Sequence, residues 1–213
     1  MGNEADVRYT SHRTGMYHRE CNIEGCSRRA FFQEPTCIEH CWNRDAAQEA
    51  ARRFLISTHR IDHLAFDGLE LEGLLLTERI FNNCSLRRAR ISNCDLSRAV
   101  MHLCFFEGSQ LHGCLLRGAD IRRSVFGLTA LLDVDFTDSE NVECNFNTSR
   151  CTGTTFNDCN LHSSRFIGAT LHHVGFRNCN LLNVHLGNSS CAECDFRYSN
   201  RGDAFQYVPG RRL

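Results

Sequence analysis

The chain has 213 residues, with 24 arginines, no lysine, 25 acidic residues and a formal net charge of −1. A balance so near neutral argues against a general nucleic-acid binder, and direct nucleic-acid binding is not expected. Hydrophobic residues make up 42% and only two residues are proline, which excludes collagen-like and disordered chains. No apolar run approaches the ~18 residues of a membrane span, so no membrane partner is expected.

Residues 1–20 open with the polar MGNEADVRYT and carry no apolar core of a secretory signal, so a cytoplasmic location is expected. In a reducing compartment the 14 cysteines are metal ligands, reactive thiols or small core residues rather than disulfides. Their spacing separates these roles.

Segment 21–42 holds four of them, Cys21, Cys26, Cys37 and Cys41, in CNIEGCSRRAFFQEPTCIEHCW. The spacing C-x4-C-x10-C-x2-H, ending at His40, offers three thiolates and one imidazole, a tetrahedral zinc set. The segment is similar to the small zinc knuckles in which a glycine precedes the second cysteine and an aromatic follows the last histidine. Gly25 fits that pattern, whereas Cys41 stands between His40 and Trp42, so the fourth ligand is either His40 or Cys41. The competing reading is a disulfide pair or unliganded thiols. A segment this short cannot bury enough surface to fold alone, and a bound ion would supply the missing free energy. With all four positions taken by protein, such a zinc is structural rather than catalytic.

Residues 43–60 read as a helix. Asn43 is the candidate N-cap, Asp45 and Glu49 favour the first turns, and Ala47, Ala50, Ala51, Phe54 and Leu55 form an apolar stripe. The helix is expected to cover the end of the structure that follows.

From Phe66 to Phe196 a large apolar residue recurs at every fifth position, and of these 27 positions only Asn141 is strongly polar. From Leu86 onward a small residue sits two positions before each, for example Cys84, Ala89, Cys94, Ala99, Cys104 and Ser109. A helix needs a period of 3.6 and a strand a period of two, so the chain must turn a corner every five residues. Units such as Cys94-Asp95-Leu96-Ser97-Arg98, Ala119-Asp120-Ile121-Arg122-Arg123 and Cys159-Asn160-Leu161-His162-Ser163 resemble the A(D/N)LXX repeat of pentapeptide-repeat proteins. The resemblance covers about residues 61–200. It implies an all-β solenoid, a right-handed quadrilateral β-helix with four pentapeptides per turn and about seven coils. At ~4.8 Å per coil the rod would be ~34 Å long.

A twenty-residue turn predicts two internal ladders. One holds Phe66, Leu86, Phe106, Phe126, Phe146, Phe166 and Leu186, and the other Leu76, Leu96, Leu116, Phe136, Phe156, Phe176 and Phe196. It also accounts for ten cysteines as lattice residues: Cys84, Cys94, Cys104, Cys114, Cys144, Cys159, Cys179 and Cys194 at the small site, and Cys151 and Cys191 at the large one. Each is expected to act as a compact apolar filler. Residues 201–213 leave the period. Phe205 and Tyr207 are expected to cover the last coil, and a thin cover would let two chains pair there as a homodimer.

Three of every five side chains point outward, and their charge is banded. A basic band holds Arg87, Arg88, Arg90, Arg98, Arg117, Arg122 and Arg123, and an acidic band follows with Asp133, Asp135, Asp138, Glu140 and Glu143. Complementary patches on a rigid rod favour a protein-binding scaffold. The alternative implied by the resemblance is a DNA-mimicking protector of DNA gyrase or topoisomerase IV, which the basic band fits poorly. Catalysis is not expected. There is no G-x-S-x-G, phosphate loop or HExxH, and the column partners His102 and His162, like His112 and His172, lie three turns apart.

Overall fold

The structure, a computed structural model, describes residues 19–200. Most of segment 1–20 and the expected C-terminal cap at 201–213, with Phe205, Tyr207 and the chain pairing assigned to them, lie outside the described residues. Within them, no helix is long and apolar enough to cross a membrane.

One helix, α1 (Arg44–Ser57), precedes a parallel β-solenoid of about seven turns. One face is a five-stranded sheet of β1 (Arg60–Asp62), β3 (Ile80–Asn82), β5 (Val100–His102), β7 (Asp120–Arg122) and β9 (Glu140–Val142). The opposite face has seven strands: β2 (Glu70–Glu72), β4 (Arg90–Ser92), β6 (Gln110–His112), β8 (Ala130–Leu132), β10 (Arg150–Thr152), β11 (Thr170–His172) and β12 (Ser190–Ala192). Single bridges such as Ala65↔Ser85 and Leu75↔Asp95 make the two remaining faces. Within the solenoid every pairing is between residues twenty apart, so the register is the repeat itself.

The corner demanded by a five-residue period is a left-handed residue. From His63 to Tyr198, every fifth position has positive φ, whether it is glycine (Gly108, φ 69°) or as bulky as Leu128 (φ 58°). That conformation crowds Cβ against the backbone. At the corners from His63 to Asn178 it is held by a bond to the next coil, as where Arg98 N donates to Arg117 O at 2.8 Å.

Both predicted ladders form. Phe106, Phe126, Phe146 and Phe166 stack with centroids 4.6, 4.9 and 4.7 Å apart. Phe136, Phe156, Phe176 and Phe196 stack at 4.7, 5.3 and 4.9 Å. The two columns meet edge to face, Phe126 against Phe136 at 88°, an arrangement that matches the positive ring edge to the negative ring face. Asn141 is fully buried in the same lattice. Its Nδ2 donates to Ser139 Oγ at 2.5 Å, and its Oδ1 has no partner.

The small inward residues do more than fill space. Most thiols at this site donate to the carbonyl 23 residues earlier, in the preceding coil: Cys104 to Phe81 O at 3.4 Å, Cys144 to Ile121 O at 3.2 Å, Cys159 to Phe136 O at 2.9 Å, whereas Cys94 donates to Ser92 O at 3.3 Å. Ser124, Ser164 and Thr154 make the same bond to Met101, Asn141 and Leu131. These cysteines are buried in the core as compact fillers, and these bonds add to that role. The position selects a small side chain, since Ala89, Ala99, Ala119 and Ala169 are buried there too, and a Cys, Ser or Thr can add a bond between coils.

The N-terminal cover differs from the expected one in two ways. Helix α1 is shorter than 43–60, and its stripe is rotated: Ala50 is exposed and Gln48 is buried. Asn43 caps it as expected, accepting from Ala46 N at 3.1 Å. Gln48 is buried because its amide stands in for an absent strand, donating to Gly68 O and accepting from Glu70 N, both at 3.0 Å. The second difference is that the helix does not act alone. Phe32 N donates to Ala65 O at 2.6 Å, the same contact that Phe66 N makes to Ser85 O. The Phe32 ring stacks on Phe66 at 5.4 Å, prolonging the ladder by one step. The cysteine-bearing segment thus supplies part of a coil that precedes the first.

Candidate functional site

Two turns build the N-terminal cluster. Gly25, with φ 77°, closes the first, in which Cys26 N donates to Ile23 O at 3.0 Å. In the second, His40 N donates to Cys37 O at 3.0 Å. Backbone pairing of Cys21 N with Arg28 O (2.8 Å) and Asn22 N with Pro35 O (3.0 Å) holds the turns side by side. Cys21, Cys26, Cys37 and His40 converge, with all four ligand atoms within 4.8 Å of one another.

The donor set fits a tetrahedral ion. Metal–sulfur bonds of ~2.3 Å and metal–nitrogen bonds of ~2.0–2.1 Å require S···S edges of ~3.8 Å and S···N edges of ~3.6 Å. Cys26 Sγ and Cys37 Sγ are 3.9 Å apart, and His40 Nδ1 lies 3.4 Å from Cys21 Sγ and 3.6 Å from Cys37 Sγ. The choice between His40 and Cys41 is decided by direction, because the Cys41 thiol donates to Asn43 O at 3.7 Å, outside the group. Without a cation the thiols compete. Burial opposes ionisation of Cys21, but hydrogen bonds from the Cys37 backbone and His40 hold it down to about 6. Cys26, helped by the backbone at Arg28, is nevertheless pushed up by burial and by the neighbouring thiols of Cys21 and Cys37. Packing like charges this closely is unfavourable until a cation neutralises them.

Most coil thiols are of the opposite kind, Cys84 being the exception, drawn down by its hydrogen bond with Cys104. Burial pushes Cys144, Cys151 and Cys159 up to about 12. None of these is a nucleophile near neutral pH.

The outer charges are placed by the coil register. Bands contiguous in sequence become belts around the rod, so the basic and acidic belts adjoin along its axis. Arg117 meets Asp135 at 2.6 Å, Arg123 meets Glu143 at 2.7 Å and Arg122 lies 3.8 Å from Glu140. Arg98 pairs with Glu78 at 2.8 Å, Arg87 with Glu107 at 2.8 Å, and Arg90 lies 3.6 Å from Glu70. Arg88, Asp133 and Asp138 are exposed and take part in no ion pair among the described residues. Arg87 also lies over the Phe105 ring at 4.7 Å, and Arg29 of the N-terminal segment lies 5.4 Å from the same ring. Arg29 thereby docks that segment against the third coil, a contact without a sequence signal.

A model of pentapeptide repeats matches residues 80–118 and 144–181, with eight copies. These two stretches of the chain are pentapeptide repeats. The chain's solved relatives are distant. The chain is 10% identical to HetL, a pentapeptide-repeat protein involved in heterocyst differentiation regulation in the cyanobacterium Nostoc, covering 71% of this chain and 93% of that one with a TM-score of 0.27. It is 18% identical to QnrB1, a plasmid-mediated fluoroquinolone resistance protein, covering 66% and 83% with a TM-score of 0.25. A pentapeptide-repeat protein of the Arabidopsis thaliana thylakoid lumen is 20% identical, covering 65% and 70% with a TM-score of 0.29. No curated protein is similar enough to match the chain. Likenesses of this size carry no argument about function.

Proposed function

We propose that this chain is a non-enzymatic, zinc-stabilised cytoplasmic scaffold that binds a partner protein through the outer faces of its coils. The observation that carries the reading is the fixed exterior. Outward side chains stand in rows twenty residues apart, and opposite charges alternate along the axis, so the rod presents a set charge register that a complementary surface can match. The most buried thiols of the interior are held protonated. The zinc reading rests on the donor chemistry of Cys21, Cys26, Cys37 and His40 and on edges of tetrahedral length. These four residues would hold the ion. Its chemistry there is to neutralise the thiolates and tie the two turns together, which keeps Phe32 on the first coil.

Within the charged belts, the contact is assigned to what the ion pairs leave free. Arg88 and Leu128 share one corner column, with Gly108 between them, and Leu128 is 70% exposed. An exposed leucine beside an unpaired guanidinium suits an apolar anchor flanked by an acidic group. Affinity purification from the native host, comparing the wild-type chain with Arg88→Glu and Leu128→Asp, tests this. A defined protein that co-elutes with the wild type and is lost from both variants supports the reading, and identical co-eluting sets overturn it.

Protection of gyrase or topoisomerase IV by DNA mimicry ranks second. It needs rows of negative charge along the axis, whereas the acidic residues form a belt around the rod and Asp135, Glu140 and Glu143 are tied to arginines. Rescue of gyrase supercoiling under a quinolone by the purified chain would reverse this order.

A further inference from the structure

In a continuing strand, adjacent side chains point to opposite sides, and His173 would enter the rod. Instead β11 ends at His172, and His173 takes the left-handed corner with φ 52°. Both rings therefore stand outside, with centroids 4.1 Å apart at 84°. One coil on, Glu193 occupies the same corner with φ 56°, and its carboxylate lies 3.1 Å from His173 Nδ1. Pairing of β11 with β12 fixes this step, His172 beside Ala192, and His173 N donates to Ala192 O at 2.9 Å. One ligand atom from each of His172, His173 and Glu193 lies within 4.8 Å of the others. The corner thus sets a second imidazole, His172, beside the His173–Glu193 pair.

We propose that His172, His173 and Glu193 form a second metal site, on the surface of the rod, for a borderline divalent transition ion such as Zn²⁺, Cu²⁺ or Ni²⁺. Two imidazoles and a carboxylate suit such ions, in contrast to the soft thiolate set at the N-terminus. The same corner column adds negative charge, for Gly153 has no side chain and the Asp133 carboxylate lies across its place. Three protein ligands on a convex corner leave at least one position open to water or to a donor from another molecule. The ion here is exchangeable, where the N-terminal one is enclosed.

Equilibrium dialysis of the untagged full-length chain against Zn²⁺ tests the site, with the double variant His172→Ala/His173→Ala alongside. The expected count falls by one ion per chain in the variant, with an unchanged melting temperature because both residues are exposed. The difference holds whatever the thiolate group binds, so failure of the N-terminal zinc reading does not disturb it. With Co²⁺, the ion lost in the variant contributes d–d absorption without thiolate charge transfer. Glu193→Gln should weaken binding of that ion by more than the ~10–100-fold typical of losing an outer-shell partner. Equal counts in wild type and double variant overturn the proposal.

Discussion

The thiols of the N-terminal segment and those of the coils are one side chain in two opposite settings. Cys21, Cys26 and Cys37 crowd together near an imidazole, and Cys21 is drawn down to about 6. Cys144, Cys151 and Cys159 are sealed among phenylalanines and pushed up to about 12. The difference lies in what stabilises each region. The coils bury two aromatic columns and pair every strand with the next, so the lattice is self-sufficient once started. The N-terminal segment has only short turns, and the first coil depends on it to cover an otherwise open edge.

If that division is right, the largest effect comes from breaking the lattice. Phe126 is fully buried and touches Phe106, Phe136 and Phe146. Phe126→Arg leaves an unpaired charge in both columns and should abolish folding. A soluble variant with unchanged melting would remove Phe126 from the ladder. Cys21→Ser should act on the other region alone. It should lose one bound ion and expose the backbone of coil one to hydrogen exchange at Phe66 and Leu69, while amides beyond Phe126 keep their protection. Uniform loss of protection would show that the two regions are one cooperative unit.

Alkaline pH sharpens the contrast. An ordinary thiol ionises near 9.0, so the unfolded chain releases protons there that the folded coils keep, because burial holds Cys144, Cys151 and Cys159 up to about 12. The contribution of these thiols is fully present below ~9 and is lost as pH rises towards 12. Urea midpoints measured from pH 8 to 10.5 should fall progressively, and replacing the three thiols by serine should flatten the fall.

Smaller effects test single lattice positions. Asn141→Leu removes a buried carbonyl that lacks a partner and restores the apolar column between Ile121 and Leu161. Urea denaturation should show a gain of about 1–2 kcal/mol. Cys144→Ser should stay within about 0.5 kcal/mol of the wild type, because serine still donates to Ile121 O, whereas Cys144→Ala leaves that carbonyl short of a donor and should cost about 1–3 kcal/mol. Equal losses in the two variants would return Cys144 to the role of filler.

Much of this molecule was legible in its residues because a period of five allows one solution. Phe106 through Phe166 had to stack once four units made a turn, and Cys21, Cys26 and Cys37, with either His40 or Cys41, declared themselves by spacing. The thiol-to-carbonyl bonds had a faint signal in the Cys, Ser and Thr that alternate at the small site, but a donor needs an acceptor, and that acceptor sits 23 residues away. Gln48 gave no signal, since its partners Gly68 and Glu70 belong to an edge that exists only after the first coil closes.

The sequence by itself determined the inward lattice and three of the four candidate metal ligands, because both are periodic or local and depend on residue type alone. Only the tertiary structure decided that His40 rather than Cys41 completes that set, that Phe32 extends the ladder, that the charged bands neutralise one another across coils, and that His172, His173 and Glu193 meet. Each of these depends on the direction a side chain takes at a corner or on an edge, and direction is fixed by the backbone of a neighbouring coil rather than by the residues on either side.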